Sequence, residues 1–511
     1  MLRWLASFLA KIPFFRSHHF HTGLWSLGHH RCVDNPHHSS ELRIVTGIME
    51  CRTCGLFQRL PAVLPGEVAE CCRCGSQLER RRRTATLGGP WAFCIAALAF
   101  YGALLVSSVM MLNVYGHVNV IVMMSGPHQL VSQGMGIIAV LVALTSVILP
   151  GVVLLMMCAI LYGAGKDDLP TWCRPLLAWY ERLRPWSMVE VYVIGLLVAY
   201  TKLIDLALVI LLPGTFLLGA LMLSMAALDS TFDAEMIWEH RSVRAEKGHP
   251  PYDGATNPMP PPRHMLSCGT CELVLLAPHA IPNTADMGDC PRCGQILHRR
   301  KPNAVQGAIC FLIAAFVFYI PANCLPVMTY ARLGKGYPNT IIGGVHELWQ
   351  ADLWVLALIV LFASITLPVL KIVSLALMLY CELTRRAWHL IGLSKLYHIV
   401  MLIGRWSMID VFMISILVAV VRFSFFAHVT ADPGIVFFAM VVVLTIFAAD
   451  MYDPRGVWDA AGRNERHPGF LPHQHRHPLK RRHRGHGCPK GPPVVTTTPE
   501  PLASLGAEGQ P

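Results

Sequence analysis

The chain repeats itself at a nearly constant offset, and the repeated unit joins a metal-type cysteine pattern to a long apolar block. Cys51, Cys54, Cys71 and Cys74 precede the first block; Cys268, Cys271, Cys290 and Cys293 precede the second. The register persists through the apolar part. Trp186-Ser187-Met188 with Glu190 recurs as Trp406-Ser407-Met408 with Asp410, and Pro213-Gly214 recurs as Pro433-Gly434. Phe232-Asp233 leading to Trp238-Glu239 recurs as Tyr452-Asp453 leading to Trp458-Asp459. Self-similarity at a fixed offset marks a duplicated structural unit. The expected architecture is therefore a tandem pair, each copy a small metal-binding module followed by membrane helices.

The apolar blocks are membrane-like in length. Apolar residues make up 54% of the chain and charged residues 14%, against about 25% charged in soluble domains. A bilayer core of about 30 Å requires about 20 apolar residues in a helix. Four such stretches are expected in each half, at 90–112, 136–163, 187–204 and 206–229, then 306–328, 352–381, 407–426 and 434–451. The run between Val189 and Ala227 also reads as one long segment, which leaves six spans as the alternative to eight. The fold class expected is an all-α polytopic membrane protein of two tandem four-helix transmembrane bundles.

Loop charge sets orientation, because Lys- and Arg-rich loops stay cytoplasmic. Arg80-Arg81-Arg82-Arg83 precedes the first span and Arg299-Arg300-Lys301 the fifth. Lys166, Arg174, Arg182 and Arg184 fill the loop 164–186, and Arg385, Arg386, Lys395 and Arg405 fill its repeat. The segment 113–135 has no Lys or Arg; 329–350 has Arg332 and Lys335. The cysteine modules and both termini are thus expected in the cytoplasm of a bacterial inner-membrane protein. A cleavable leader over residues 1–16 would export a reduced cysteine module and contradict these loops. Met49 stands just before the first knuckle, so Met1 and Met49 both remain open as the start.

The cysteines do not resemble a disulfide framework, which is rare in the cytoplasm. Paired Cys-x-x-Cys knuckles at this separation are a strong metal-site spacing. Four thiolates without histidine describe a closed tetrahedral centre, usually structural zinc. Iron fits the same spacing, and a thiol–disulfide pair is the redox alternative. Gly55, Gly75 and Gly294 follow three of the knuckles, with Glu272 the exception. Cys72 reads as a bystander, and Cys94, Cys158, Cys310 and Cys324 as small apolar packing residues.

Ionisable residues inside spans cost about 2.5–3.5 kcal/mol each on insertion scales, which makes them functional candidates. Lys371, Asp410 and Arg422 qualify in the second half, Glu190 and Lys202 in the first, with Asp205 added there. Ser364, Pro368 and Lys371 share one helix face. The expected arrangement sets Lys371 opposite Asp410 with Ser364 and Ser407 near by; the alternative is that the acids and bases snorkel to the interface. Val153 stands at the first-half position of Lys371. Pro321-Ala322-Asn323-Cys324-Leu325-Pro326 is expected to break the helix where it leaves the membrane, with Asn323 in the break, and the first half has no equivalent. The second half is the expected functional core.

These segments resemble the paraquat-inducible protein A (PqiA-like) family of bacterial inner-membrane proteins. The resemblance rests on Pro321-Ala322-Asn323, on Trp406-Ser407-Met408 through Asp410, and on Asp453-Pro454-Arg455 ending in Trp458-Asp459. It covers about residues 49–460. It implies rubredoxin-like zinc ribbons at 49–84 and 265–300 and four-helix membrane domains at 88–240 and 304–460. A poorly structured extension (1–48), a linker (241–264) and a His-, Arg- and Pro-rich tail (461–511) complete the division. It further implies a part in lipid trafficking, loading or unloading phospholipids beside a periplasmic MCE-domain protein that forms a tunnel. The first copy departs from the pattern, having no Pro-Ala-Asn, and Ala234-Glu235 in place of Pro454-Arg455. No P-loop is present, no nucleophile–base spacing stands out, and enzymatic chemistry is not expected. The net charge of +11 follows from loops and tail and does not indicate nucleic-acid binding. Two other readings remain: an iron-containing membrane redox protein, and a scaffold whose zinc ribbons bind a cytosolic partner.

Overall fold

The computed structural model describes residues 42–464 apart from 61–62, 65, 81–86, 115–116, 167–168, 205–207, 240–250, 283–285, 333–334, 351, 353, 421 and 424–426. Asp205 and nearly all of the two terminal extensions lie outside the described residues. Among those described, seven helices are long and apolar enough to cross a membrane: Gly88–Val106, Gly136–Ala164, Cys173–Thr201, Pro213–Thr231, Ala304–Cys324, Phe362–Leu383 and Gly434–Met451. The chain is a mostly helical, multi-pass membrane protein with two four-cysteine clusters.

In chain order, the first module has strand β1 (Arg43–Thr46) and two hairpins, β2 (Ile48–Glu50) with β3 (Phe57–Arg59) and β4 (Val68–Glu70) with β5 (Gln77–Arg80). Each hairpin turn carries one Cys-x-x-Cys pair. Helix α1 (Gly88–Val106) then crosses to the opposite end, where β6 (Met110–Val114) and β7 (His117–Ile121) pair antiparallel. A short helix α2 (Ser125–Ser132) leads into α3 (Gly136–Ala143), a π-helical turn at Leu144–Ile148, and α4 (Leu149–Ala164). Next come α5 (Cys173–Leu183), α6 (Val189–Ile204), strand β8 (Leu208–Leu211), which joins β6, and α7 (Pro213–Thr231) with its appended turn α8 (Ala234–Glu239).

The second copy repeats this plan. Strand β9 (Tyr252–Asp253) is followed by β10 (Met265–Ser267), β11 (Val274–Leu276), β12 (Asp286–Asp289) and β13 (Ile296–His298). Helix α9 (Ala304–Cys324) leads to the hairpin β14 (Met328–Arg332) and β15 (Lys335–Asn339). Then follow α10 (Ile341–Gln350), α11 (Trp354–Leu361), a π-helical turn at Phe362–Thr366 and α12 (Leu367–Leu383). The remainder is α13 (Leu390–Gly404), α14 (Ile409–Val420), β16 (Arg422–Phe423), β17 (Ala427–Ala431), α15 (Gly434–Met451) and α16 (Arg455–Ala460).

Several sequence expectations are corrected at the span ends. The spans expected to reach 112, 328 and 426, and the one expected to begin at 206, instead give way to sheet. The short apolar runs Leu208–Leu211 and Met110–Val114 find ladder partners there, so their backbone groups are satisfied without helix. The span expected at 407–426 contains the twelve-residue helix α14, about 18 Å long at 1.5 Å per residue. Arg422 therefore belongs to a strand at the edge of a sheet. The helix break expected at Pro321 is displaced as well. Pro321 lies inside α9, which ends only at Leu325, where φ −87° and ψ 150° place the residue before Pro326 in extended backbone. Asn323 stays helical and donates from Nδ2 to the Tyr319 carbonyl at 2.9 Å.

The duplicated Pro-Gly steps have a shared cause. The Gly214 N–H donates to the Ser108 carbonyl and the Gly434 N–H to the Pro326 carbonyl, each at 3.0 Å. A Cβ at either glycine would collide with that same carbonyl oxygen. Each half thus seats the start of its last helix on the exit of its first: α1 packs on α7, and α9 on α15. The halves meet through α6 and α14, where the Tyr192 and Phe412 rings stack edge to face at 5.7 Å.

The modules are linked to each other by one four-stranded sheet in the order β10-β11-β1-β9. Val45 of the first copy pairs with Val274 of the second, and Arg43 with Leu276. Beyond that sheet their seating is crossed. The first module's sulfurs pack in a cluster with Ala308, Leu375, Tyr452 and Trp458 of the second half. The second module's sulfurs belong to the cluster that holds Leu177 and Trp238 of the first half, and Glu181 on α5 lies within electrostatic reach of Glu272 and Cys268.

Candidate metal centres and intramembrane polar groups

Hairpin turns bring each set of four sulfurs together. In the first centre Cys51 and Cys74 Sγ are 3.6 Å apart, as are Cys54 and Cys71. In the second, Cys268 to Cys293 and Cys271 to Cys290 are both 3.5 Å. Within each set all ligand atoms lie within 4.8 Å of one another, and all eight cysteines are buried. A tetrahedral ion bound at about 2.3 Å to each sulfur spaces the sulfurs about 3.8 Å apart, so the donor set fits a single ion per centre. Four thiols packed this closely resist joint ionisation. Cys54 and Cys271 are pushed far above the ordinary thiol range, first by the sulfurs of Cys51 and Cys268 respectively. A divalent cation removes that penalty. The Ser76 hydroxyl adds a polar contact at 3.0 Å to both Cys51 and Cys74.

The knuckle turns require left-handed backbone. Gly55, Gly75 and Gly294 have φ of 69°, 72° and 71°. Glu272 adopts φ 58° at the fourth knuckle despite its side chain. Its carboxylate bonds Arg52 of the other module at 2.7 Å, which ties the two centres together across the shared sheet.

An ion network clamps the first module to the second half. Glu50, next to Cys51, accepts from Arg300 at 2.9 Å and from Arg455 at 3.3 Å. Arg300 also donates to Asp459 at 2.6 Å, and Arg455 to Asp453 at 2.8 Å. Burial alone would raise the Asp453 carboxyl, but Arg455 and then Arg300 outweigh it and hold the group near a pKa of about 2. Against the cost of burial, the Glu50 and Asp453 carboxylates push the Arg455 guanidinium above its ordinary range. Thr53 contacts His398 at 2.9 Å on the same face. Sequence reasoning missed Glu50 and Arg300 as site residues. Arg300 had been absorbed into a basic run whose obvious meaning was topology, and Glu50 carried no signal beyond its place beside a ligand.

Lys371 is 3% exposed and its Nζ donates to the Gly404 carbonyl at 2.7 Å. Two turns before it, Ser364 donates to the Val360 carbonyl at 2.6 Å within the π-helical turn. Ser407 is 1% exposed, and among the described residues its Oγ finds no hydrogen-bond partner. The side chains of Asp410, Lys202 and Arg422 lie outside the described residues. Glu190 sits at the helix start with its side chain 48% exposed, 3.8 Å from Arg184.

Beside Ser364 a small apolar cleft of about 30 Å³ opens toward the sheet end of the second half. Val360, Met413, Ile414 and Phe438 line its body, and Asn339 and Thr340 its rim. Asn339 is fixed there by donating to Glu347 at 2.8 Å.

The family model of paraquat-inducible protein A matches the chain twice, at residues 87–242 and 305–462. The chain is 30% identical over 421 residues to the intermembrane transport protein PqiA of Escherichia coli K12, covering 81% of this chain and 96% of that one. It is 28% identical over 419 residues to the lipophilic envelope-spanning tunnel protein A of the same strain, covering 80% of this chain and 91% of that protein. A probable intermembrane transport protein of Haemophilus influenzae is 28% identical over 176 residues, 34% of this chain and 42% of the other. No solved structure matches.

Proposed function

Because the chain belongs to the paraquat-inducible protein A family, we propose that it is the inner-membrane component of an MCE-type intermembrane lipid transport system. In this reading it loads or unloads phospholipids for a periplasmic MCE-domain tunnel. The relatives' names speak of intermembrane transport and of an envelope-spanning tunnel, and none names an enzyme. The supporting observation in this chain is the small second-half cleft, apolar in its body and polar at its rim, an amphipathic entry point beside the sheet end of the bundle. Both modules, as rubredoxin-like ribbons with structural zinc, then face the cytoplasm together with both termini, and the two small sheets face the periplasm. Each half acts as a four-helix bundle. Lys371 and Asp410 form a charged pair that couples proton uptake to movement of the second bundle.

The cleft provides the test. Gly344 lines it, and a Cβ there meets nothing within 4 Å, so Gly344→Trp fills the space without a backbone clash. The expected result is a cell at least tenfold more sensitive to detergent, with unchanged protein level and unchanged co-purification of an MCE-domain protein. Unchanged resistance, or a wild-type preparation that carries neither that partner nor phospholipid, would overturn the reading.

A further inference from the structure

The two four-sulfur centres differ in one polar neighbour. At the first, Ser76 Oγ lies 3.0 Å from both the Cys51 and the Cys74 sulfur, bridging a pair that is 3.6 Å apart. The hairpin turn places it there. Ser76 follows Gly75, whose φ of 72° brings the chain back past the knuckle, and its carbonyl accepts from the Cys71 N–H at 2.8 Å. The second centre repeats this backbone: Gly294 has φ 71°, and the next carbonyl, that of Gln295, accepts from the Cys290 N–H at 2.8 Å. Among the described residues, however, no side-chain hydroxyl or amide hydrogen-bonds to the sulfurs of that centre, which contact one another. Burial does not separate the two sets. The first four cysteines are 0–6% exposed and the second four 2–4%.

We infer that the second centre is the reactive one: with an ion in each set, Cys268, Cys271, Cys290 and Cys293 are the sulfurs open to soft electrophiles, and Ser76 withholds Cys51 and Cys74 from the same attack. Sulfurs that hold an ion carry no proton, so the hydroxyl is the donor. It has one proton to give, and two acceptors at equal distance share it. A hydrogen bond to an ionised acceptor is about twice as strong as a neutral one, and it draws charge from the lone pair that would attack. Outer contacts of this kind tune a metal ligand, and the thiolate is ligand and nucleophile at once. The reaction is an addition to an electron-poor alkene. The sulfur forms a bond to the alkene carbon, the alkene's electron pair takes a proton from water, and the ion exchanges a thiolate for a weaker thioether. No oxidant takes part. The seating gives the consequence. The second module packs with Leu177 and Trp238, so damage there loosens the first half while the Glu50 clamp still holds the first module.

The inference rests on the reading of the cysteine clusters as metal centres, and the experiment separates the two. Full-length protein in detergent is stripped with chelator under reducing conditions, reloaded with Co²⁺ alone, and pulsed with N-ethylmaleimide before peptide mapping. In wild type the second set should be modified first. Ser76→Ala should speed modification of Cys51 and Cys74 by about fivefold or more, as loss of a hydrogen bond to a charged group implies, and leave the second set unchanged. The same variant should move the Co²⁺–thiolate charge-transfer band to longer wavelength, because the sulfur lone pairs rise in energy without the donor. Ser76→Thr keeps the hydroxyl and should match wild type in both readouts, which separates the hydrogen bond from packing. Modification of the first set before the second in wild type, an unchanged rate in Ser76→Ala, or a Ser76→Thr protein that behaves like Ser76→Ala overturns the inference and leaves the centres standing. If Co²⁺ gives no charge-transfer band and protects neither cysteine set in wild type, the metal reading has failed and the inference falls with it.

Discussion

The two halves build the same π-helical turn and then fill it differently. In the first, Ser146 donates to the Val142 carbonyl at 2.7 Å, the turn at Leu144–Ile148 runs into Leu149-Pro150, and Val153 follows at 1% exposure. In the second, Ser364 donates to the Val360 carbonyl at 2.6 Å, the turn at Phe362–Thr366 runs into Leu367-Pro368, and Lys371 follows at 3% exposure. The backbone device does not need a charge, since one copy closes it with a valine. The π-turn alone therefore does not account for a lysine that costs about 2.5–3.5 kcal/mol to place in a membrane. The ends of the last helices differ in the same sense. Asp453 and Arg455 join the clamp on Glu50, whereas Asp233 and Glu235 stand at the equivalent positions and Asp233 caps the Glu235 N–H at 3.2 Å.

The largest effect expected is from the metal centres, because structural zinc contributes on the order of 10–16 kcal/mol to small domains. Cys51→Ser with Cys54→Ser should make the second-half helices protease-sensitive, and Cys268→Ser with Cys271→Ser the first-half ones. Identical digestion patterns would break the crossed seating. Next is the clamp: Glu50→Ala leaves Arg300 and Arg455 without their shared carboxylate and should cost about 3–5 kcal/mol. Thermal unfolding in detergent reads this, and Glu235→Ala, at the first-half position of Arg455, should have a small effect. Swapping the π-turn residues sharpens the comparison directly. Lys371→Val should preserve expression and fold while abolishing transport-dependent resistance; Val153→Lys should destabilise by about 2.5–3.5 kcal/mol.

Smaller effects follow. Asp453 has its carboxyl lowered from 3.8 to about 2, so its contribution of about 2 kcal/mol is complete above the unfolded value and disappears as pH falls through the folded one. The clamp should hold from pH 7 to 5 and loosen between 4 and 2, a step that Asp453→Asn removes. Last is Glu272→Gly. Relief of left-handed strain, about 1 kcal/mol, is offset by loss of an exposed ion pair to Arg52 worth about 0–1 kcal/mol. The variant should be equal to wild type or slightly more stable by the same melting assay.

Cysteine spacing and apolar length were legible because each has one physical meaning at that density. The knuckle glycines are left-handed as their type suggests, and Glu272 follows them into the same conformation because the turn, not the residue, dictates φ. The strands at Met110–Val114 and Leu208–Leu211 were hidden, since short apolar runs read alike as helix and strand. Pro321 misled because a proline near a helix end costs little when the chain is about to leave the helix at the next one. Crossed seating left no local trace at all. Two modules with the same pattern differ in partner through contacts such as those of Glu50 with Arg300 and Arg455, residues far apart in sequence.

That seating also orders the protein in time. Glu50 and Arg455, joined in the folded clamp, are 405 residues apart. At about 5–20 residues per second, the first module waits roughly 20–80 s after its synthesis before its docking surface exists. The first part made is the last to be seated, so it must hold its own fold on the ribosome without that surface. A hairpin pair whose four cysteines held a metal ion would do this, and an apolar core of the same size would not.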